Sequence, residues 1–102
     1  MMSNHEFEYH PEAVGEAWEA FHWYAERSET AADDFWDELH AARRAVIRQP
    51  ETWSPYLHGT RCFSLQRFPY GLVYIERGER IIGIAVAHFR RRPGYWRKRL
   101  AD

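Results

Sequence analysis

One cysteine, Cys62, is present in 102 residues, which excludes an internal disulfide framework and fits a reducing compartment. No run reaches about 18 apolar residues, and no apolar stretch of leader length opens the chain, so neither a membrane span nor a secretory signal is expected, and the cytoplasm is the expected location. The six histidines, His5, His10, His22, His40, His58 and His88, show no ligand spacing with one another or with Cys62, so no metal site is expected. A glycine-rich phosphate loop and a paired-carboxylate signature are both missing, so no cofactor is expected. Lysine is nearly absent: of 14 cations, 13 are arginine and one is Lys98. Arginine favours planar, bidentate contacts with phosphate or carboxylate, although genome composition gives the same bias.

What is present is a strong separation of charge. Residues 1–56 hold 4 cations against 12 acids, a net −8, and residues 57–102 hold 10 against 3, a net +7. The basic half is expected to form one patch around its densest stretch, His88 to Arg99, where six cations alternate with Phe89, Tyr95 and Trp96. Cations interleaved with stackable rings suit a nucleic acid or an acidic segment of a protein partner. A plain solubilising tail is the alternative. Pro93-Gly94 breaks the extended run and lets Tyr95 and Trp96 fold back.

The length suits a single domain over 1–102 with a core of its own. Phe7-Glu8-Tyr9 alternates as a short strand, and Pro11 with Glu12 opens a helix. In it Val14, Trp18, Phe21 and Ala25 recur at helical spacing, with Ala17 and Tyr24 beside them, to about Arg27. Trp23 falls off that stripe and is either an exposed aromatic or a flank of the core. Thr30-Ala31-Ala32-Asp33 has capping-box spacing and starts a second helix, whose seam is Ala32, Phe35, Leu39, Ala42 and Val46, closed by Pro50. The connection over 50–60 is expected to be pinned by Trp53 and Tyr56.

From Arg61 the period changes to two, with Phe63 and Leu65 inward and Cys62, Ser64 and Gln66 on a wet face. Leu72–Ile75 and Ile81–Ala87 flank Arg77-Gly78-Glu79 as a hairpin, Gly78 supplying a positive φ. The last strand has Ile82, Ile84 and Val86 on one face and Gly83, Ala85 and Ala87 on the other, where a helix can approach closely, and parity puts His88 with Val86. The fold class is α+β, β-α-α-β-β-β, an antiparallel sheet packed on an N-terminal helical hairpin.

This order of elements, with His10-Pro11-Glu12-Ala13, Trp23-Tyr24, Gln49-Pro50, Arg67 to Tyr74, and Ile84 to His88 followed by Arg91-Arg92-Pro93-Gly94-Tyr95-Trp96, resembles the RelE/ParE superfamily of type II toxin-antitoxin toxins, the plasmid-stabilisation proteins. The likeness covers nearly the whole chain. It implies a growth-arresting toxin held inactive by a cognate antitoxin, acting on the ribosome and its mRNA or on DNA gyrase, or a degenerate relative that only binds nucleic acid. By the same resemblance, ribonuclease members use basic residues on the inner strands and a basic or aromatic end of the last strand. Arg90 stands at their last-strand arginine, and Tyr95 or Trp96 near their terminal tyrosine. Gly71 stands where they carry an arginine, and Phe63, Ser64, Leu65 and Gln66 where they carry lysines.

Metal-free RNA cleavage needs a proton acceptor, cations for the developing phosphorane charge and a donor to the leaving oxygen. The candidate catalytic residues are His88, Arg90, Tyr95, Arg61 and Arg67, if they converge; alternatively His88 simply ends a strand with its ring bonded to backbone. The target-facing candidates are Arg91, Arg92, Trp96, Arg97 and Arg99, and Trp18 and Trp23 are the antitoxin-facing ones. If the ribonuclease set is incomplete, the chain is instead a non-catalytic, gyrase-binding poison.

Overall fold

The computed structural model describes residues 5–101; residues 1–4 and 102 of the single domain expected over 1–102 lie outside them. The described elements are β1 (Glu6–Tyr9), α1 (Pro11–Ala25), α2 (Glu29–Arg48), β2 (Ser54–Pro55), β3 (Arg61–Ser64), β4 (Tyr70–Arg77) and β5 (Arg80–His88), followed by a 3-10 turn at Arg97–Ala101. The sheet runs β1-β5-β4-β3-β2. The α+β class is as expected, but the sheet is mixed: β1 lies parallel to β5, and β2 adds a short edge strand within the connection. The parallel pairing follows from the helical hairpin, which carries the chain across the sheet face before it returns.

The helix caps are local. His10 Nδ1 accepts the Glu12 N–H at 3.1 Å, and Pro11 occupies the first turn, where its missing N–H costs nothing. Helix α2 is capped by Ser28, whose Oγ accepts from Ala31 N at 3.2 Å, so the cap lies two residues before the expected Thr30. Ser28 is the last extended residue, and Glu29 then meets the positive end of the helix dipole.

On α2 the buried seam is Ala32, Phe35, Leu39, Ala42 and Val46, as the spacing predicts. On α1 the buried face is Ala13, Ala17 and Ala20, while Val14 and Trp18 are 40% and 46% exposed. Small residues let α1 sit close to the sheet. The large side chains turn instead to the outer seam between the helices, where Trp18 and Phe21 lie 4.9 and 5.3 Å from the Trp36 ring.

The sheet packs on both faces. Leu65, Leu72, Tyr74, Ile81 and Val86 join the helices in one core, and Val73, Ile84, Ala85, Ala87 and Trp96 make a second. One extra residue in β5 divides them: Val73 pairs with Ala85 and Tyr74 with Gly83, leaving Ile84 as a bulge. The bulge inverts strand parity, so Ile82 and Ile84 do not share a face with Val86 as strict alternation predicts. Nor does a helix fill the small-residue face. The rings of Phe7 and Tyr9 cover Gly83, and Trp96 packs in the core of Ala85 and Ala87.

The C-terminal segment therefore acts as a layer. Gly94, at φ +80°, reverses the chain, and Trp96 is left 1% exposed. The face of β3 expected to be wet is half-covered, and burial pushes the Cys62 thiol up to about 11, a hydrogen bond with Ser64 opposing it. Trp53 pins the connection by donating Nε1–H to Ala45 O at 3.3 Å and lying edge-on to Phe63.

Two outcomes are expected. Trp96→Ala removes the largest side chain of the second core and lowers stability by about 3–5 kcal/mol, read as a fall in the urea midpoint without loss of helical circular dichroism. Native Cys62 carries roughly a thousandth of its population as thiolate at pH 8, so alkylation by iodoacetamide is slow until urea unfolds the chain.

Candidate functional site

Strand β1 pairs with β5 only between Arg80 and Gly83, which leaves the second half of β5 without a neighbour on that side. Side chains complete the edge. Glu16, on the sheet-facing side of α1, accepts the Val86 N–H at 3.0 Å, and Arg99 Nη1 donates to Ile84 O at 3.0 Å. The two side chains meet as a fork, with Arg99 Nη1 and Nη2 at 2.8 and 3.0 Å from the two Glu16 oxygens. Tyr95 donates its hydroxyl to Glu16, and Arg91 approaches Oε2 at 3.3 Å while stacking 3.7 Å from the Tyr95 ring centroid.

Burial raises the Tyr95 pKa, the Glu16 hydrogen bond raises it further, and the phenol remains a donor. Burial alone would lower Arg99, but its bond to Glu16 outweighs that and holds the guanidinium above its ordinary value.

Two of the expected target-facing residues are buried: Trp96 is a core side chain and Arg99 is 8% exposed, because the segment folds back onto the sheet. Arg91 is tied to Glu16. Arg92 and Arg97 are exposed. Glu16 itself escaped the sequence reading, although it falls beside Ala13, Ala17 and Ala20 on the small-residue side of α1, where an acid needs a partner.

The five candidate catalytic residues do not all converge: His88 lies beside Arg90 and lines one pocket with Tyr95, whereas Arg61 and Arg67 are engaged elsewhere. His88 ends β5, half-buried and edge-on to Tyr70 at 4.9 Å, with Nδ1 accepting the Arg90 N–H at 3.0 Å. Tyr95 is held by Glu16. Arg67 lies on the β3–β4 bend and pairs with Asp34 and Glu38 at 3.5 and 3.3 Å. Arg61 donates to Trp53 O at 2.7 Å and pairs in register with Tyr74, whereas His88 pairs with Tyr70. Four residues of strand separate those positions, about 13 Å.

The ten cations of the basic half are likewise divided rather than gathered in one patch. Arg61, Arg67, Arg77 and Arg80 contact Trp53, Asp34 with Glu38, Leu100 and Glu8, respectively. Gly71, where the resemblance puts a ribonuclease arginine, is closed: a Cβ there would stand 2.6 Å from Cys62 Sγ and 3.1 Å from the Phe89 ring.

A groove does form between α1 and the strand ends. Glu19, Trp23 and Tyr24 line it from the helix, Tyr70 and His88 from the strand ends, and Pro69, Phe89 and Arg90 from the turns beside them. Trp23 and Phe89 are 51% and 52% exposed, and Trp18 is exposed on the outer seam of the hairpin. The groove thus joins Trp23, expected to face an antitoxin, with His88 and Arg90, two of the candidate catalytic residues. Among the described residues, no group of three or more His, Cys, Asp or Glu is placed to hold a metal ion, and no helix is long and apolar enough to cross a membrane.

Glu16→Ala should cost about 3–5 kcal/mol, because it leaves the buried Arg99 only the exposed Glu12 carboxylate, 3.7 Å away. A double-mutant cycle with Arg99→Met in urea should show strong coupling between the two positions.

No curated protein matches the chain. A family model described as the ParE toxin of the type II toxin-antitoxin system parDE matches residues 7–93, from β1 through the end of β5 to the turn before Gly94. The match spans the helical hairpin, the whole sheet and the groove between them, and the chain belongs to this ParE toxin family, as the toxin component of a toxin-antitoxin pair.

Proposed function

We propose that the chain arrests growth by binding DNA gyrase as a non-catalytic poison. The observation that carries this reading is the separation of the candidate cations from His88: Arg61 is a strand length away, Arg67 is paired with acids on α2, and Tyr95, though near His88, is engaged by Glu16. The closed position at Gly71 supports it further, since a ribonuclease arginine has no room there. A binding surface needs no proton-transfer pair. It needs exposed cations, which Arg90, Arg92, Arg97 and Lys98 supply at the end of β5 and in the segment after it.

The cognate antitoxin, in this reading, covers the outer seam of the hairpin. Trp18 is 46% exposed there beside Trp36, and an aromatic patch of that kind suits a partner's apolar anchor.

The two mechanisms separate by experiment. Purified toxin is expected to inhibit gyrase supercoiling while mRNA 5′ ends in induced cells stay unchanged; new 5′ ends with normal supercoiling would establish cleavage instead. His88→Gln should keep growth arrest within a few-fold, whereas loss of a general base costs about 100-fold or more. Charge reversals at Arg92, Arg97 and Lys98 should weaken inhibition by increments that add. Trp18→Ala should reduce antitoxin affinity at least tenfold in a pull-down with the product of the neighbouring reading frame, while leaving supercoiling inhibition intact.

A further inference from the structure

We infer that the groove between α1 and the ends of β4 and β5 binds one unpaired nucleotide of a nucleic-acid strand. Its lining holds the rings of Trp23, Tyr24, Tyr70, Phe89 and His88, with Pro69 beside them, the guanidinium of Arg90 and the carboxylate of Glu19. Two of the rings are half exposed: Trp23 carries the Arg27 guanidinium 3.6 Å from its centroid and lies edge-on to Tyr24, and the Phe89 ring lies over Gly71. Rings of this kind take a base by stacking whatever its sequence, and a guanidinium beside them takes the phosphate.

The polar groups narrow the ligand. Among the described residues, the hydroxyls of Tyr24 and Tyr70 have no hydrogen-bond partner, and Glu19 and the Arg90 guanidinium have no ion pair. Burial raises the pKa of both tyrosines, so they stay donors, ready for the carbonyls and ring nitrogens of a base. Glu19 accepts from N–H groups, which favours a base carrying an exocyclic amine and disfavours one edged only by carbonyls.

A peptide would be held through its backbone, by a sheet edge or by a continuous apolar stripe. Here the polar atoms instead alternate with rings, as a base and its phosphate do. Glu16 assists at a distance. Arg91 and Arg99 are held on its carboxylate, which leaves Arg90 and Arg92 as the exposed cations at the strand end.

The inference goes beyond the gyrase proposal, since the ribosome and gyrase both present nucleic acid, and its test uses neither. Fluorescently labelled hexamers, one all thymine and one with a central guanine or cytosine, as DNA and as RNA, are titrated with the full chain and followed by anisotropy. Single strands are expected to bind at least tenfold more tightly than a duplex hairpin of equal charge, and the amine-bearing hexamers more tightly than oligothymidine.

Trp23→Ala and Phe89→Ala should each weaken single-strand binding about tenfold, Glu19→Gln should abolish the base preference without lowering oligothymidine affinity, and Arg90→Ala should reduce the salt slope by about one unit. The urea midpoint of each variant confirms that it folds, and Trp23→Phe should restore most of the affinity. Equal binding to duplex, or parental affinity in both aromatic variants, overturns the inference. So does protection of the groove by the antitoxin together with no oligonucleotide binding, which would make it a protein site. Supercoiling inhibition that fails while the hexamers still bind would overturn the gyrase reading alone.

Discussion

Among the described residues, half of β5 has no strand on one side, and the molecule depends on how that edge is satisfied. Unpaired backbone groups in a sheet either bond to water or attract another chain. Here a carboxylate from α1 and a guanidinium from the C-terminal segment take their place, Glu16 on Val86 N and Arg99 on Ile84 O. The same two groups neutralise each other in a nearly dry setting, where neither charge could stand alone. One interaction thereby ties helix, strand and C-terminal segment together. It also sets the second core, because Trp96 reaches Val73, Ile84 and Ala87 only when the segment is docked.

Much of the architecture was legible in period alone. The α2 seam was read residue by residue because each large apolar side chain there meets the sheet. On α1 the same logic favoured Val14 and Trp18, and the buried face was instead the row of alanines. Hydrophobic size marks a stripe, but closeness of packing selects small residues, and a pattern of periods does not weigh the two. The β5 faces failed for a different reason. A bulge adds one residue, and strict alternation has no term for it.

The candidate site was legible as chemistry and not as geometry. That the end of the chain is basic and aromatic was plain, and so was its turn at Gly94. How its cations divide was not. Arg91 and Arg99 serve the fold, Arg67 answers two acids on α2, and Arg61 caps a carbonyl, all through contacts distant in sequence. What remains for a partner is the smaller set at Arg90, Arg92, Arg97 and Lys98, next to a groove whose Tyr24, Tyr70 and Phe89 each stood in a stretch read from sequence, although nothing there showed that they meet.

The pairing of Glu16 with Arg99 spans 83 positions, nearly the whole described chain. Helix α1, helix α2 and the β4–β5 hairpin each form from neighbours, so they assemble on short loops with little entropy to overcome. The Glu16 contact cannot form until residue 99 arrives at a surface the other elements have already built. A chain in which residue 99 is not docked leaves the open half of β5 unsealed and Trp96 unburied.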